Sequence, residues 1–135
     1  MGSHPVSRIN PLAVGPSEQG IFVHAVEVPA GGRTIYISAQ SGVSETGQLR
    51  AGFHQQCEQA IRNLIAVLAT CEMTTDNLIR IAFYVTNAHD IPVLRNIRRR
   101  LLDIRATITI LVVAELETPE TLFQVEAVAV GSNTR

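Results

Sequence analysis

The chain has no lysine and no tryptophan, and all eleven of its basic residues are arginine. Without a lysine amine the protein cannot form a Schiff base with a carbonyl substrate, which excludes that route to covalent catalysis. Aromatic residues make up 4% of the sequence and the formal net charge is −1. Such a chain offers neither the positive field that phosphate backbones require nor a stacking platform for bases, so nucleic acid is not an expected partner. The one basic cluster, Arg98-Arg99-Arg100, reads as a solvated helix face or a subunit contact. Cysteine is scarce too. Cys57 and Cys71 have no metal-type spacing, and both fall on the apolar stripe of a predicted helix, which makes them buried free thiols. The four histidines show no HxH or HExxH pattern, so no metal site is expected. No apolar run approaches the roughly 20 residues of a membrane span. The N-terminal MGSHPVSR lacks the apolar core of a signal peptide, and a cytoplasmic location is the expectation.

What remains is an ordinary folded composition, 46% hydrophobic over 135 residues, enough for one domain with a real core. Residues 1–20 are rich in Pro, Gly and Ser and read as an extended arm, leaving 21–135 as the domain. IFVHAVEV at 21–28 makes a first strand, PAGGR a glycine turn suited to a hairpin, and TIYISAQ at 34–40 a second strand. From Gln48 to Cys71 the period changes to that of a helix, with Leu49, Phe53, Cys57, Ala60, Ile61, Leu64 and Leu68 on one stripe. LIRIAFYVT at 78–86 alternates as a third strand, with Arg80, Ala82 and Tyr84 on the face opposite Ile81 and Phe83. Asp90 is the expected cap of a second helix, Pro92 lies in its first turn, and Leu94, Ile97, Leu101 and Ile104 form its stripe. ATITILVVAEL and TLFQVEAVAV give two more strands around the turn ETPE.

The predicted order β-β-α-β-α-β-β is an α+β fold. Two helices with one apolar stripe each cover only one face of a five-stranded sheet. The other face would carry Tyr36, Ser38, Arg80, Tyr84, Thr109, Leu111, Gln124, Glu126 and Val128. That set is too apolar to stay wet and too polar for a dry core. It predicts burial against further copies of the chain, with polar groups gathered in clefts between subunits.

Five segments in this order, GIFVHAVEV, IYISAQSGV, AIRNLIAVLATC, LIRIAFYVTNAHDIPVLRNI and VVAELETPETLFQVEAVAV, resemble the RidA/YjgF/YER057c family, once labelled L-PSP endoribonucleases. The resemblance spans nearly the whole chain. It implies a chorismate-mutase-like fold and a homotrimer with ligand sites between subunits. It also implies hydrolysis of reactive enamines and imines to keto acids and ammonia without metal or cofactor. In that chemistry an arginine on the fourth strand clamps the substrate carboxylate, a glutamate on the fifth strand handles the proton with an ordered water, and an aromatic residue near the first strand closes the pocket.

Transferred position by position, the set is altered here. The arginine position falls on Ile108, between Thr107 and Thr109, with Arg105 three residues upstream as the nearest arginine. The glutamate position is Gln124, and Glu126 matches the second glutamate of the family's strand. Phe22 takes the aromatic position and Ala39 replaces a usual glycine. An amide donates and accepts hydrogen bonds but is no general base near neutral pH. An isoleucine in place of the arginine would favour a neutral ligand. The candidate catalytic residues are therefore Glu126 and Gln124. Phe22, His24, Tyr84, Asn87, His89, Ile108 and Thr109 are the candidate ligand contacts: His24 near the aromatic position, Asn87 and His89 on the loop that borders the cleft in the family. Glu126 is either the acid/base group or a carboxylate satisfied by backbone or Arg80. Three readings follow: a cofactor-free enzyme acting on a small imine, enamine or related carbonyl compound, a non-catalytic trimer that binds a small metabolite, and a ribonuclease, which the charge disfavours.

Overall fold

The computed structural model describes residues 6–15, 23–102 and 105–132. In chain order the strands and helices are β1 (Ser7–Ile9), β2 (Ala25–Glu27), β3 (Arg33–Ser41), α1 (Gly52–Thr70), β4 (Leu78–Val85), α2 (Ile91–Leu101), β5 (Thr107–Val112) and β6 (Phe123–Gly131). Among the described residues the main sheet has four strands in the order β3-β6-β4-β5, with β4 and β5 parallel and the other neighbours antiparallel. Both helices pack on one face of it, as the two narrow stripes predict.

The core forms where the strand and helix periods meet. β4 contributes Ile81, Phe83 and Val85, β6 contributes Phe123, Val125, Ala127 and Ala129, and all are buried under Phe53, Cys57, Ile61, Leu64 and Leu68 of α1 and Leu94 and Ile97 of α2. Phe123 stands edge-on to Phe53, ring centroids 5.7 Å apart, and also meets Phe83. Rings of this kind fix their neighbours by shape as well as by area buried.

The structure corrects the expected five-stranded sheet. The segment expected as its first strand supplies only Ala25–Glu27, which pairs with Ser7–Ile9 of the arm and not with β3. Its backbone partners explain the difference. The His24 N–H donates to Asn10 Oδ1, the His24 ring meets the Gly15 carbonyl at 2.7 Å, and Val23 N–H donates to the Ala106 carbonyl. Gly31 and Gly32, both at positive φ, thus sit in a loop and not in a two-strand hairpin. Similarly, β6 lies between β3 and β4, so the turn ETPE joins strands that are not neighbours.

The helix begins four residues later than its sequence period suggests. Val43 bridges Leu49, and Arg50 N–H donates to the Gly42 carbonyl, which holds that stretch in a tight loop. A Cβ at Gly42 would stand 2.3 Å from the Gln56 Cα, so only glycine lets the loop lie this close to α1. Gln56 itself, 2% exposed, donates to the carbonyls of Arg50 and Glu120 and accepts from Leu122 N–H. One buried amide thereby joins three segments.

At the second helix, Asp90 makes no side-chain cap. It ends a short 3-10 turn whose cap is Asn87, accepting from His89 N–H, and this turn runs straight into α2. Pro92 does fall in the first turn. Of the three clustered arginines, Arg98 is turned inward and 5% exposed, while Arg99 and Arg100 are exposed and Arg100 reaches Glu58 of α1 at 2.7 Å. Cys57 is buried, and Cys71, which caps the end of α1, is half-buried against the core. Burial pushes the Cys57 thiol up to about 12, helped by Glu58 and Asp90, which leaves it protonated and unreactive at neutral pH. The expected Ile104 of the second stripe lies outside the described residues.

Candidate functional site

Among the described residues, nothing covers the face of the sheet away from the helices. Alternation along β4 places Arg80, Ala82 and Tyr84 on it, and the antiparallel register sets them opposite Val128, Glu126 and Gln124 of β6. The parallel register with β5 adds Thr107, Thr109 and Leu111 on the other side. Tyr36 lies across from Val128 on β3, so Tyr36, Val128 and Arg80 form one rung of the sheet. Between Ile37 and Gln40 the β3–β6 register slips by a residue. This bulge brings Ser38 and Ala39 opposite Glu126, and bulges of this kind re-aim side chains beside ligand sites.

Glu126 is the centre of the arrangement. Its Oε1 accepts a 2.9 Å hydrogen bond from the Tyr84 hydroxyl, on the diagonal of the ladder. Ala82, the residue between Arg80 and Tyr84 on this face, is only 1% exposed, so the longer side chains around it close over it. The bond to Glu126 raises the Tyr84 pKa above its ordinary value, with burial and the Glu126 charge adding to the shift and Arg80 opposing it. Tyr84 is therefore a persistent proton donor and Glu126 an oriented acceptor with lone pairs to spare. Beside them a groove of about 220 Å³ is lined by Tyr36, Ser38, Arg80, Glu126 and Val128.

The candidate residues named from sequence divide sharply. Glu126, Tyr84, Gln124 and Thr109 share the uncovered face, and the first two are bonded to each other. Ile108 does not join them. The parallel register places it beside Ile81, and it packs against the core with Ile110, so it faces the helices. Ile108 thus stands on the opposite face of the sheet from Glu126 and Tyr84. Arg105 is exposed just before β5, and its carbonyl accepts from Arg8. His24 holds the arm through Asn10 and Gly15, and Asn87 caps the turn containing exposed His89; none of the three is hydrogen-bonded to the Tyr84–Glu126 pair. Phe22 lies outside the described residues.

Alternation alone sets Arg80, Tyr36 and Ser38 on this face as well, without marking them as part of a site. The available signal was that LIRIAFYVT sets Arg80 and Tyr84 on the face that FQVEAVAV gives to Glu126. Among the described residues, no group of three or more His, Cys, Asp or Glu side chains is arranged to hold a metal ion, and no helix is long and apolar enough to cross a membrane.

A small α+β domain with two helices on one face of its sheet and a polar pair on the bare face defines the class. The chain belongs to the family described as Endoribonuclease L-PSP, whose model matches residues 13–131. It is 31% identical over 78 residues to a RutC family protein of Aquifex aeolicus, a match covering 57% of this chain and 56% of that protein. The chain thus spans little more than half the length of this curated relative. Among solved structures it is similar to a Rid-family protein of unknown function from Yersinia pestis, with 31% identity, a TM-score of 0.79 and coverage of 93% and 98% of the two chains. RidA from an Antarctic Psychrobacter matches with 27% identity and a TM-score of 0.70, over 85% and 92% of the two chains.

Proposed function

We propose that this RidA-like protein acts on a small imine, enamine or related carbonyl compound, without metal or organic cofactor, in a cleft completed when copies of the chain assemble as a homotrimer. The observation that carries the reading is the Tyr84–Glu126 hydrogen bond on the uncovered face, beside a groove. Tyr84 fixes one carboxylate oxygen and leaves the rest of Glu126 to take a proton from water. The water oxygen then bonds to the imine carbon, the C=N electron pair moves to nitrogen, and nitrogen takes up a proton. The carbinolamine then collapses: its hydroxyl proton passes to nitrogen, the C–O bond becomes C=O and the C–N bond breaks, releasing ammonia and leaving the carbonyl product. Positioned proton transfer of this kind is worth roughly 10²–10⁴-fold in rate.

The apolar and aromatic groups left bare on the same face, Tyr36 at 79% and Leu111 at 47% exposure, support assembly with further copies. The decisive experiment measures ammonia release from imines generated in situ, for wild type and Glu126→Gln, with oligomeric state followed by light scattering. The reading expects a trimer, accelerated hydrolysis, and a loss of at least about 100-fold in an intact Glu126→Gln trimer. An unchanged rate in that variant would remove Glu126 from the mechanism, and a stable monomer would remove the cleft.

Gln124 favours a second reading. It stands where the family resemblance implies the proton-handling glutamate, and an amide there suits a metabolite-binding trimer that does no chemistry. Ligand binding with no turnover on any imine would select it.

A further inference from the structure

We propose that a binding site where the β3–α1 loop meets α1 takes a phosphorylated sugar, its phosphate held by Arg50 and Arg62 and its hydroxyls by the loop. Tyr84 and Glu126 line neither of the two cavities involved, so nothing here depends on what the uncovered face does. The larger cavity, of about 420 Å³, and the smaller, of about 230 Å³, share Arg50 and Gln59 as a common wall. Arg50 is fixed before any ligand arrives. Its N–H donates to the Gly42 carbonyl, its carbonyl accepts from the buried Gln56 amide, and its Nε donates to Gln59 Oε1 at 3.2 Å. Gln59 in turn donates to Asn63 Oδ1 at 2.8 Å, and Asn63 donates to the carbonyls of Ser41 and Val43. A guanidinium anchored through Nε keeps both terminal NH₂ groups for a ligand, and among the described residues nothing takes them up.

The smaller cavity adds Arg62, Gln55 and Glu58 to that wall. Glu58 does not cancel the arginines: Arg100 holds its carboxylate at 2.7 Å, with Arg62 at 3.8 Å and His54 at 3.9 Å. Arg50, Arg62 and Arg100 against one carboxylate leave this cavity positive. A carboxylate would occupy one guanidinium fork, whereas a phosphate monoester, largely dianionic at neutral pH, suits two. The larger cavity has no cation beyond Arg50 and is lined with hydrogen-bonding groups instead. Glu45 is exposed and unpaired among the described residues, Ser41 supplies a hydroxyl, and Gln40 gives its NH₂ to the Ser38 carbonyl and keeps its Oε1 free to accept. Sugar hydroxyls both donate and accept, so they match this mixture. No aromatic ring lines either cavity, and Ala39 and Val43 are the apolar residues present, so a nucleobase has nothing to stack on. That favours a sugar phosphate over a nucleotide.

The test titrates ribose 5-phosphate and glucose 6-phosphate calorimetrically into the full-length protein at low salt, with ribose, glucose and inorganic phosphate as their separate parts. At least one sugar phosphate is expected to bind about tenfold or more tightly than either of its parts. Arg50→Gln should weaken it by about tenfold or more, and Arg62→Gln by a smaller factor, with circular dichroism confirming that each variant is folded. Glu45→Gln should weaken the sugar phosphate while leaving the affinity for inorganic phosphate within about twofold, because Glu45 faces the hydroxyls. Sugar phosphates that bind no better than inorganic phosphate would mean a surface anion contact only, and would overturn the proposal. Affinity kept in Arg50→Gln but lost in Arg80→Gln would place the ligand on the uncovered face and overturn it as well.

Discussion

Along β6 the side chains that point toward the helices and those that point away have opposite chemistry. Phe123, Val125, Ala127 and Ala129 are all under 5% exposed and make contacts that fill space. Gln124, Glu126 and Val128, the residues between them, are half-buried on a face that nothing in the described chain covers. The first set determines that there is a sheet at all. The second uses the sheet as a rigid ruler, because a strand fixes its side chains at a period of two and a spacing set by the ladder. Tyr84 meets Glu126, and Arg80 shares its groove, only because β4 and β6 are locked in register by the other face. The comparison teaches that changes on the two faces should separate stability from chemistry.

The largest expected effect is on the covered face. Phe123→Ala removes a ring packed against both Phe53 and Phe83 and should cost about 3–5 kcal/mol in denaturant unfolding. A comparable loss from Glu126→Gln would break the distinction between the faces, since that change keeps size and shape and leaves an acceptor for Tyr84. Next comes Gln56→Leu, which keeps the volume but strands the Arg50 and Glu120 carbonyls and the Leu122 N–H. We expect a loss of roughly 2–3 kcal/mol, measured the same way, and a loosened β5–β6 loop seen as faster amide exchange at Leu122.

A smaller effect belongs to the uncovered face and appears only at alkaline pH. The Tyr84 hydroxyl is held above its ordinary pKa of about 10 by the bond to Glu126. A raised folded-state pKa stabilises fully below the unfolded value, and the contribution is lost as pH rises through the folded value. Stability should therefore fall above pH 10 in wild type, with less of a fall in Tyr84→Phe. Tyr36→Phe leaves Tyr84 as the sole tyrosine of the two, so its phenolate absorbance can be titrated directly. A midpoint at or below 10 would mean that the Glu126 bond does not persist in solution.

Much of this arrangement was legible in the sequence, for a physical reason. Alternation is local, so LIRIAFYVT and FQVEAVAV each declare their two faces without help from the rest of the chain. The helix stripe from Phe53 to Leu68 is local in the same way. Register and partnership are not. Nothing within ATITILVVAEL says that it runs parallel to β4, and that pairing is what turns Ile108 inward beside Ile81. The pairing of β2 with the arm depends on Asn10 and Gly15, which lie far from the strand in sequence. The same holds for Gln56, whose amide reads as one more polar helix residue until the loops that it bonds are folded against it.

The smallest expected effect lies on the outer side of the helices, away from both faces of the sheet. Glu58 of α1 accepts from Arg100 of α2 at 2.7 Å, with Arg62 at 3.8 Å and His54 at 3.9 Å. The Arg100 hydrogen bond, helped by the nearby positive charges, holds the Glu58 carboxyl below its usual pKa. A depressed carboxylate stabilises above the unfolded-state value and loses that contribution as pH falls through the folded one, so the network should weaken only in acid. It is solvent-exposed and screened by salt, which limits it to about 0.5 kcal/mol. Arg100→Gln should therefore shift the unfolding midpoint slightly at pH 7 and low salt, and by nothing measurable in 1 M salt. A loss of 2 kcal/mol or more, retained in high salt, would show that α1 and α2 depend on this pair to stay packed and not on Leu94 and Ile97 beneath it.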